Sequence, residues 1–383
     1  MIHTFQSVGR IVYGNGASTH IGKEAKRIGV SRALVVAGKS AIANNACRPI
    51  IDSLEEYGVR TEIYCAVTGE PTPPAVDDCA ALARNFRAEL IIGVGGGSVL
   101  DTAKASALLT TNDGPIERYF GVDQIPAPCL PMILVPTTAG TGSEATSISV
   151  VADVASDTKK GIVSDRLFAR VVVLDPELTL SVPPKVTAAT GIDAFVHAME
   201  SYVNLAATPF TDCHNLQAMD MIAQNIRRAW ANGSDLAARE QMLYASTLAG
   251  MGFSNTQNGV IHAIAMAVPA SYHLPHGLLV GALAPMGMAL NCQAAPEKYA
   301  RIAEILGCAP EATSPGERAQ SAITGFKGLL ADIGIKPGLA AHGVRREDVR
   351  GIAERAAATR RLMDGNPARA DADELEKLIE RHF

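Results

Sequence analysis

Hydrophobic positions are distributed differently in the two halves of the chain. Up to about residue 184, short apolar runs end in Gly, Pro, Thr or Asp, and helix-like stretches such as AVDDCAALARNF separate several of them. The runs are RALVVAG, TEIYCAV, AELIIGVGG, PMILVPTT and ARVVVLDPE. Alternation of this kind predicts βαβ units and a largely parallel sheet.

From about residue 185 the strand-like runs disappear. Long amphipathic patterns rich in Ala, Leu and Met begin at TAATGIDAFVHAMESYV, after the joint SVPPKV, where two prolines interrupt regular structure. A chain of 383 residues also favours two domains over one core. We therefore predict an α/β domain with a largely parallel sheet over residues 1–184 and an all-helical domain over residues 185–383.

Charge and cysteine usage narrow the class of protein. The net charge is −5 without a basic tract, so neither nucleic acid nor an anionic membrane is an expected partner. No apolar run reaches the roughly 18 residues of a membrane span, and MIHTFQSVGR lacks the apolar core of a signal peptide. Seven scattered cysteines without a C-x-x-C pair favour reduced thiols in a cytoplasmic enzyme and do not support a cysteine-based zinc site.

The stretch AELIIGVGGGSVLDTAK is typical of a strand, a glycine run and a helix. Gly95, Gly96 and Gly97 lack side chains where backbone N–H groups must approach a ligand closely. Ser98 and Asp101 have the spacing of a capping box at the start of the helix, and a helix N-terminus suits a pyrophosphate. Because the pattern is not G-x-G-x-x-G, a tight βα turn with a capped helix is the alternative.

A second polar loop, PTTAGTGSEAT at 136–146, follows another predicted strand. Its hydroxyl groups can donate to a phosphate or a ribose, and they belong to Thr137, Thr138, Thr141 and Ser143. Alone, such a stretch is more often a polar loop than a site. Two such loops, each after a strand of one α/β domain, predict a nucleotide cleft at the carboxyl ends of the strands.

The helical half holds a set of potential metal ligands. In GIDAFVHAMESY, Asp193 and His197 stand four residues apart among apolar neighbours, hence on one face of the predicted helix. An Asp–His pair in a helical core would explain these two alone. GVIHAIAMAVPASYHLPHG adds His262 and His276, which can meet only if the chain turns back at its two intervening prolines. One carboxylate and three imidazoles suit Fe²⁺ or Zn²⁺ and leave a site charge of about +1, so the metal remains a useful Lewis acid for an alkoxide or carbonyl oxygen.

Several motifs in order resemble those of the iron-containing (group III) alcohol dehydrogenase family: GGGSVLDTAK, PTTAGTGSE, DAFVHAMESY and the histidine-to-PHG stretch. The resemblance covers nearly the whole chain, including DPELTLSVPP and GNPARADADELEKLI. It implies an N-terminal NAD(P)-binding domain and a C-terminal metal-binding domain, with the metal in the cleft between them. The implied metal ligands are Asp193, His197, His262 and His276. The implied cofactor contacts are Gly95, Gly96, Gly97, Ser98, Asp101, Thr137, Thr138 and Lys160.

The function implied is a metal-dependent alcohol dehydrogenase or aldehyde reductase that transfers a hydride between NAD(P) and an alcohol or carbonyl substrate held by the metal. A dehydroquinate-synthase-like enzyme shares this architecture, but its sugar-phosphate substrate calls for basic residues, and the stretches around the four ligands are mostly apolar. A maleylacetate-reductase-like enzyme would need no metal. A non-catalytic scaffold would keep nucleotide and metal for structure only, which the presence of every ligand and both loops argues against.

Five positions bear on specificity. Gly38 follows the strand RALVVA where NAD-preferring relatives carry an aspartate, so we expect NADPH to be accepted, with Lys39 adding a favourable charge. Met266 replaces a histidine that many relatives have four residues after the third ligand. Either Met266 fills an apolar substrate pocket near Phe253, or His273 takes the histidine's role, and we favour the pocket. The expected substrate is a small alcohol or aldehyde, and the expected assembly is a homodimer or larger homo-oligomer.

Overall fold

The computed structural model describes residues 4–153, 158–310 and 314–383, and it divides into two compact units. The α/β unit comprises Gln6–Val182 and Ser234–Thr247, and the helical unit comprises Pro183–Gly233, Leu248–Phe383 and the N-terminal residues up to Phe5. The fold class predicted from the sequence is confirmed. The predicted boundary lay between residues 184 and 185. In the structure the chain enters the helical unit at Pro183, and residues 234–247 group again with the α/β unit.

A parallel sheet of six strands lies at the centre of the α/β unit, and a small mixed sheet accompanies it. The strands are β1 (Ile11–Tyr13), β2 (Arg32–Gly38), β3 (Arg60–Val67), β4 (Leu90–Gly95), β5 (Gly121–Val122), β6 (Met132–Pro136), β7 (Ile148–Asp153), β8 (Thr158–Val163) and β9 (Val171–Leu174). The large sheet has the order β1-β9-β6-β4-β2-β3, and the small sheet has the order β5-β8-β7. Strands β4, β6 and β9 are buried along their whole length, which explains why their sequences are continuous apolar runs.

Helices cover both faces of the large sheet. They are α1 (Ile21–Ile28), α2 (Lys39–Ala43), α3 (Arg48–Glu56), α4 (Pro73–Phe86) and α5 (Gly97–Thr111). Side chains of α1 and α3 share one hydrophobic core with Val35 and Ile92, whereas side chains of α4 and α5 share another with Leu34 and Ile91. Successive strand residues point to opposite faces, so each strand contributes to both cores.

The helical unit is built from helices joined by short turns. The helices after the sheet are α6 (Pro184–Val203), α7 (Pro209–Ala231), α8 (Leu236–Thr256), α9 (Val260–Ala267), α10 (His276–Asn291), α11 (Pro296–Ile305), α12 (Pro315–Asp332), α13 (Val349–Ala358), α14 (Arg360–Met363) and α15 (Ala372–Arg381). Proline opens four of them because its missing N–H has no partner in a first turn anyway. Among the described residues, no helix combines the length and apolarity needed to cross a membrane.

Candidate functional site

The two predicted cofactor loops follow β4 and β6, which are neighbouring parallel strands, and the loops touch each other. A Cβ atom added at Gly97 would lie 2.5 Å from Thr141 Cγ2, and one added at Gly96 would lie 3.2 Å from Thr138 Oγ1. The threonines of the second loop therefore occupy the space that side chains would need in the first. The glycine run allows the two loops to form one surface at the carboxyl ends of the strands.

Helix α5 begins at Gly97, and Gly96 is its N-cap, so Ser98 lies inside the first turn. The capping box predicted between Ser98 and Asp101 is wrong, because Gly96 and not Ser98 is the N-cap, and tertiary partners engage the Asp101 carboxylate. Asp101 accepts hydrogen bonds from the Ser143 hydroxyl at 2.6 Å and from a backbone N–H of β7 at 3.1 Å. The N-terminus of α5 has no side-chain cap, which suits the binding of an anion by its first N–H groups.

A buried cation, Lys104, ties α5 to the segment that follows the second loop. Its Nζ donates to the carbonyl oxygens of Thr146 and Ile148, both at 2.8 Å. Burial lowers the pKa of Lys104 to about 8, although Asp101 and Glu144 oppose the shift. The sequence did not point to this role, since a lysine in a helix is rarely fully buried.

Two residues predicted to contact the cofactor lie outside these loops. Gly38 is buried at the end of β2, and a Cβ atom there would lie 3.2 Å from Val99 Cγ2, so an aspartate would require Val99 to shift. Lys39 beside it is exposed. Lys160 is exposed on β8, opposite Val151 of β7. The structure thus brings the two loops together and leaves Lys160 on a separate, smaller sheet.

The four predicted metal ligands converge in the helical unit around one carboxylate oxygen. The Nε2 atoms of the histidines lie near Asp193 Oδ1, at 3.5 Å for His262, 3.9 Å for His276 and 4.0 Å for His197. Asp193, His262 and His276 form the tightest group, with ligand atoms within 4.8 Å of one another. Two atoms that are each about 2.1 Å from one tetrahedral ion lie roughly 3.4 Å apart. The observed separations therefore fit ligands of a single ion.

Two atoms at the centre of this cluster have no hydrogen-bond partner among the described residues. They are Asp193 Oδ1 and His262 Nε2, and both are buried. A buried polar atom left unsatisfied costs about 1–3 kcal/mol, and a cation between the two atoms would satisfy both. Burial alone would raise the pKa of Asp193, but the three surrounding imidazoles lower it below its ordinary value. The donor atoms present thus suit a divalent ion.

Local geometry accounts for the convergence. Asp193 and His197 lie one turn apart on α6, and the His197 ring stacks on Phe253 with centroids 4.3 Å apart. Helix α9 ends before a short turn, and α10 begins at His276 after Pro275. The chain reverses there, as the two prolines indicated, and brings the rings of His262 and His276 to 5.6 Å.

A second carboxylate, Glu200, holds His262, although the motifs in the sequence did not point to it. Glu200 Oε2 lies 2.6 Å from His262 Nδ1, and Oε1 accepts from the Ile261 N–H at 2.6 Å. Because a carboxylate only accepts, Nδ1 carries the proton and Nε2 faces Asp193. Burial would lower the pKa of His262, but Asp193 and Glu200 raise it to about 9. Glu200 stands seven residues after Asp193 and three after His197, and residues at these spacings share one face of a helix. This spacing could have identified Glu200 from the sequence.

Glu200 also corrects the predicted charge of the site. With a divalent ion, one carboxylate leaves a formal charge of about +1, whereas two carboxylates leave a charge near zero. The Glu200 side chain is buried, with 1% of its surface exposed, so water does not screen it appreciably. An ion bound here would therefore be a milder Lewis acid than the sequence suggested.

The amino end of α9, which carries His262, is fixed by the GNPAR motif near the end of the chain. Asn366 Oδ1 accepts from the Val260 N–H at 3.1 Å, and Asn366 exchanges two side-chain hydrogen bonds with Asn291, at 2.9 and 2.8 Å. A Cβ atom at Gly259 would lie 2.7 Å from Asn366 Oδ1. The motif therefore supports His262 from a distance of about a hundred residues along the chain.

The structure favours one of the two interpretations of the missing histidine. Met266 is partly buried on α9, one turn after His262. His273 is exposed and lies in the left-handed region with a φ of 52°, immediately after the short turn. His273 is not among the residues whose ligand atoms form the tight cluster. We therefore retain the interpretation that Met266 lines an apolar pocket.

For this reason, replacing His273 with alanine is expected to lower reductase kcat/KM by less than about tenfold, roughly 1.4 kcal/mol. Steady-state rates over a range of pH check this. A loss of about 10²–10⁴, the size expected for a general acid, would instead assign the proton relay to His273. A Met266→His variant is the complementary test, because it places a titratable group at the position where many relatives have a histidine.

Comparison with known proteins agrees with this geometry. Residues 9–176 match the family described as iron-containing alcohol dehydrogenase, and residues 187–383 match the C-terminal domain of the Fe-containing alcohol dehydrogenase family. The chain belongs to the iron-containing alcohol dehydrogenase family. Sulfoacetaldehyde reductase of Bilophila wadsworthia is 46% identical to this chain, and the alignment covers 100% of both proteins.

Solved structures agree with the assignment to the iron-containing alcohol dehydrogenases. A 1,3-propanediol oxidoreductase superposes with a TM-score of 0.97 at 34% identity, over 100% of both chains. Sulfoacetaldehyde reductase from Bifidobacterium kashiwanohense in complex with NAD⁺ superposes with a TM-score of 0.88 at 27% identity, over 100% of this chain and 99% of the other. The protein is an oxidoreductase of the alcohol dehydrogenase and aldehyde reductase class, as the sequence predicted, and the non-redox alternative has no support from these matches.

Proposed function

We propose that this enzyme reduces sulfoacetaldehyde to the corresponding alcohol with a nicotinamide cofactor and one Fe²⁺ or Zn²⁺ ion per chain. The observation that carries the proposal is the cluster of three imidazoles around the buried Asp193 Oδ1. The choice of substrate is supported by the 46% identity to a sulfoacetaldehyde reductase along the full length of both chains. A relative with a different substrate, 1,3-propanediol oxidoreductase, is only 34% identical.

The metal would be held by the four side chains of the cluster, which are Asp193, His197, His262 and His276. When bound, such an ion supplies Lewis acidity to the oxygen of an alcohol or carbonyl group. Glu200 keeps the His262 ring in one orientation through Nδ1. Phe253 covers one face of His197 and thereby excludes water from that side of the cluster. Met266 contributes apolar surface one turn from His262.

The cofactor would be bound by the two loops of the α/β unit. The uncapped N-terminus of α5 suits the pyrophosphate, and the close approach of Gly97 to Thr141 gives these loops one shared surface. When bound, the nicotinamide gives or accepts the hydride. The Ser143 hydroxyl is engaged by Asp101, so we assign Ser143 to holding the loop in place, whereas Thr137, Thr138 and Thr141 remain proposed cofactor contacts.

A substrate panel and metal removal test this function together. With NADH or NADPH, we expect sulfoacetaldehyde to have a higher kcat/KM than lactaldehyde, 3-hydroxypropanal or propanal. Prolonged chelation is expected to abolish turnover, and added Fe²⁺ or Zn²⁺ to restore it. A higher kcat/KM for a neutral aldehyde would refute the assignment of sulfoacetaldehyde as substrate. Full activity in a metal-free preparation would refute the requirement for a metal ion.

For the choice of cofactor, we expect NADPH to be accepted alongside NADH, because Gly38 presents no carboxylate to repel a 2′-phosphate. The measurement is kcat/KM for each cofactor. A preference for NADH above about 100-fold, or 2.7 kcal/mol, would contradict this expectation. Gly38→Asp should lower the kcat/KM for NADPH more than that for NADH, and Lys39→Gln is the matched control for the neighbouring charge.

We further propose that the enzyme is cytoplasmic and homo-oligomeric. All seven cysteines are free, which suits a reducing compartment. The family resemblance supports a homodimer or a larger assembly. Light scattering coupled to size-exclusion chromatography measures the mass of the assembly directly.

A further inference from the structure

Arg361 is a partly buried cation of the helical unit that has no acidic partner in the part of the chain that the structure describes. It lies on α14, and its Nη1 donates to Gln257 Oε1. Burial lowers its pKa, since the charge loses hydration without gaining a carboxylate. The adjacent Arg360 is different: its side chain is 78% exposed and pairs with Asp364 at 2.9 Å.

The segment that Arg361 contacts has both of its ends at the metal cluster. At one end Phe253 stacks on His197, and at the other end α9 carries His262. Gln257 lies between them, and its N–H donates to the Phe253 carbonyl oxygen at 2.8 Å. The guanidinium is therefore attached to the middle of the segment that lines the cluster.

The neighbour of Gln257 adds a second unused polar group. Asn258 is only 8% exposed, and its Oδ1 has no hydrogen-bond partner among the described residues. Its backbone carbonyl accepts from Asn204 at 3.1 Å. An amide oxygen accepts hydrogen bonds, so Asn258 Oδ1 calls for a donor and does not itself attract an anion. Among the polar groups of this segment, the cation of Arg361 is therefore the one that suits an anionic ligand.

The chemistry of the Arg361 guanidinium matches an anion with several oxygens. A guanidinium has five N–H donors in a planar fork, and Gln257 engages one nitrogen of Arg361. We propose that Arg361 binds the sulfonate group of the aldehyde substrate and so selects it over neutral aldehydes. This inference rests on the proposed reduction of sulfoacetaldehyde and assigns the residue that recognises its charged end.

The experiment compares Arg361→Met, Arg361→Lys and the matched control Arg360→Met, each loaded with metal and checked for an unchanged melting temperature. For Arg361→Met we expect kcat/KM for sulfoacetaldehyde to fall at least about tenfold, mainly through KM, because a charge-assisted hydrogen bond is lost. The kcat/KM for propanal should change by less than about threefold. Arg361→Lys keeps the charge, so its kcat/KM for sulfoacetaldehyde should fall less. Arg360→Met should leave kcat/KM unchanged for both aldehydes.

A second readout is independent of turnover. Isethionate, the alcohol product, should raise the melting temperature of the wild-type enzyme and of Arg360→Met, but not that of Arg361→Met. Equal losses for both aldehydes in Arg361→Met, or no loss for either, would overturn the inference. If Arg361→Met does not fold, an Arg361→Lys variant with an unchanged ratio of kcat/KM between the two aldehydes would overturn it as well.

The outcomes also separate this inference from the function on which it rests. A wild-type enzyme that prefers propanal to sulfoacetaldehyde would refute the proposed substrate and, with it, the sulfonate subsite. A wild-type preference for sulfoacetaldehyde that persists in Arg361→Met would refute the subsite alone. If an aldehyde with a carboxylate in place of the sulfonate has the higher kcat/KM and depends equally on Arg361, the subsite recognises carboxylates and the sulfonate assignment is wrong.

Discussion

Replacing Asp193 with asparagine is expected to remove the metal ion and about 10³-fold of the reductase activity, roughly 4 kcal/mol. Asp193 Oδ1 is the one ligand atom that all three histidine Nε2 atoms approach within 4.0 Å. Asparagine has nearly the same shape but no charge, so a buried dication would lose the negative charge next to it. Metal analysis of the purified variant and steady-state kinetics with added Fe²⁺ or Zn²⁺ provide the measurement.

Asp212→Asn is a suitable control for this variant. Asp212 belongs to the same unit and pairs with Lys298 at 3.6 Å, outside the cluster. It should retain wild-type metal content and activity. If Asp193→Asn were as active as the wild type and free of metal, the enzyme would be a metal-independent reductase of the maleylacetate type.

Glu200→Gln is expected to weaken metal binding by about 10–100-fold, the range seen when the partner of a metal-binding histidine is removed. Glu200 presents acceptors to three donors, which are His262 Nδ1–H, the Ile261 N–H and, at 3.4 Å, the His262 backbone N–H. A glutamine has only one oxygen, so its NH₂ group must face one of these donors. The His262 ring then loses its fixed orientation, or the end of α9 loses its acceptor. The dissociation constant for Zn²⁺, measured by competition with a chromogenic chelator, reports the effect.

A purely structural role for Glu200 predicts a different result. Glu24→Gln serves as the control, since Glu24 is also a buried carboxylate, paired with Arg10 and Arg27 in the α/β unit. Both variants should unfold at a lower temperature without metal, but only Glu200→Gln should bind Zn²⁺ more weakly. Glu200→Asp keeps the charge on a shorter side chain, so its Zn²⁺ dissociation constant should lie between those of the wild type and of Glu200→Gln. An unchanged Zn²⁺ dissociation constant in Glu200→Gln would show that Glu200 only stabilises the fold.

Features that depend on short spacings could be predicted from the sequence. The continuous apolar strands, the two loops and the pair Asp193 and His197 follow from the periods of strands and helices, which are local. The turn between His262 and His276 followed from two prolines. Three of the four predicted ligands form the tight cluster, and His197 Nε2 lies 4.0 Å from Asp193 Oδ1.

Only the tertiary structure decided how distant residues are paired. The predicted capping box is absent because the helix begins before Ser98, and Asp101 accepts instead from Ser143, 42 residues away. Glu200 reaches His262 across 62 residues, and Arg361 reaches Gln257 across 104. Residue spacing determines which side chains share a face of one helix, but not which segment packs against that face. The sequence therefore determined the fold class and the candidate ligands, whereas packing determined the charge of the metal site and where an unpaired arginine lies.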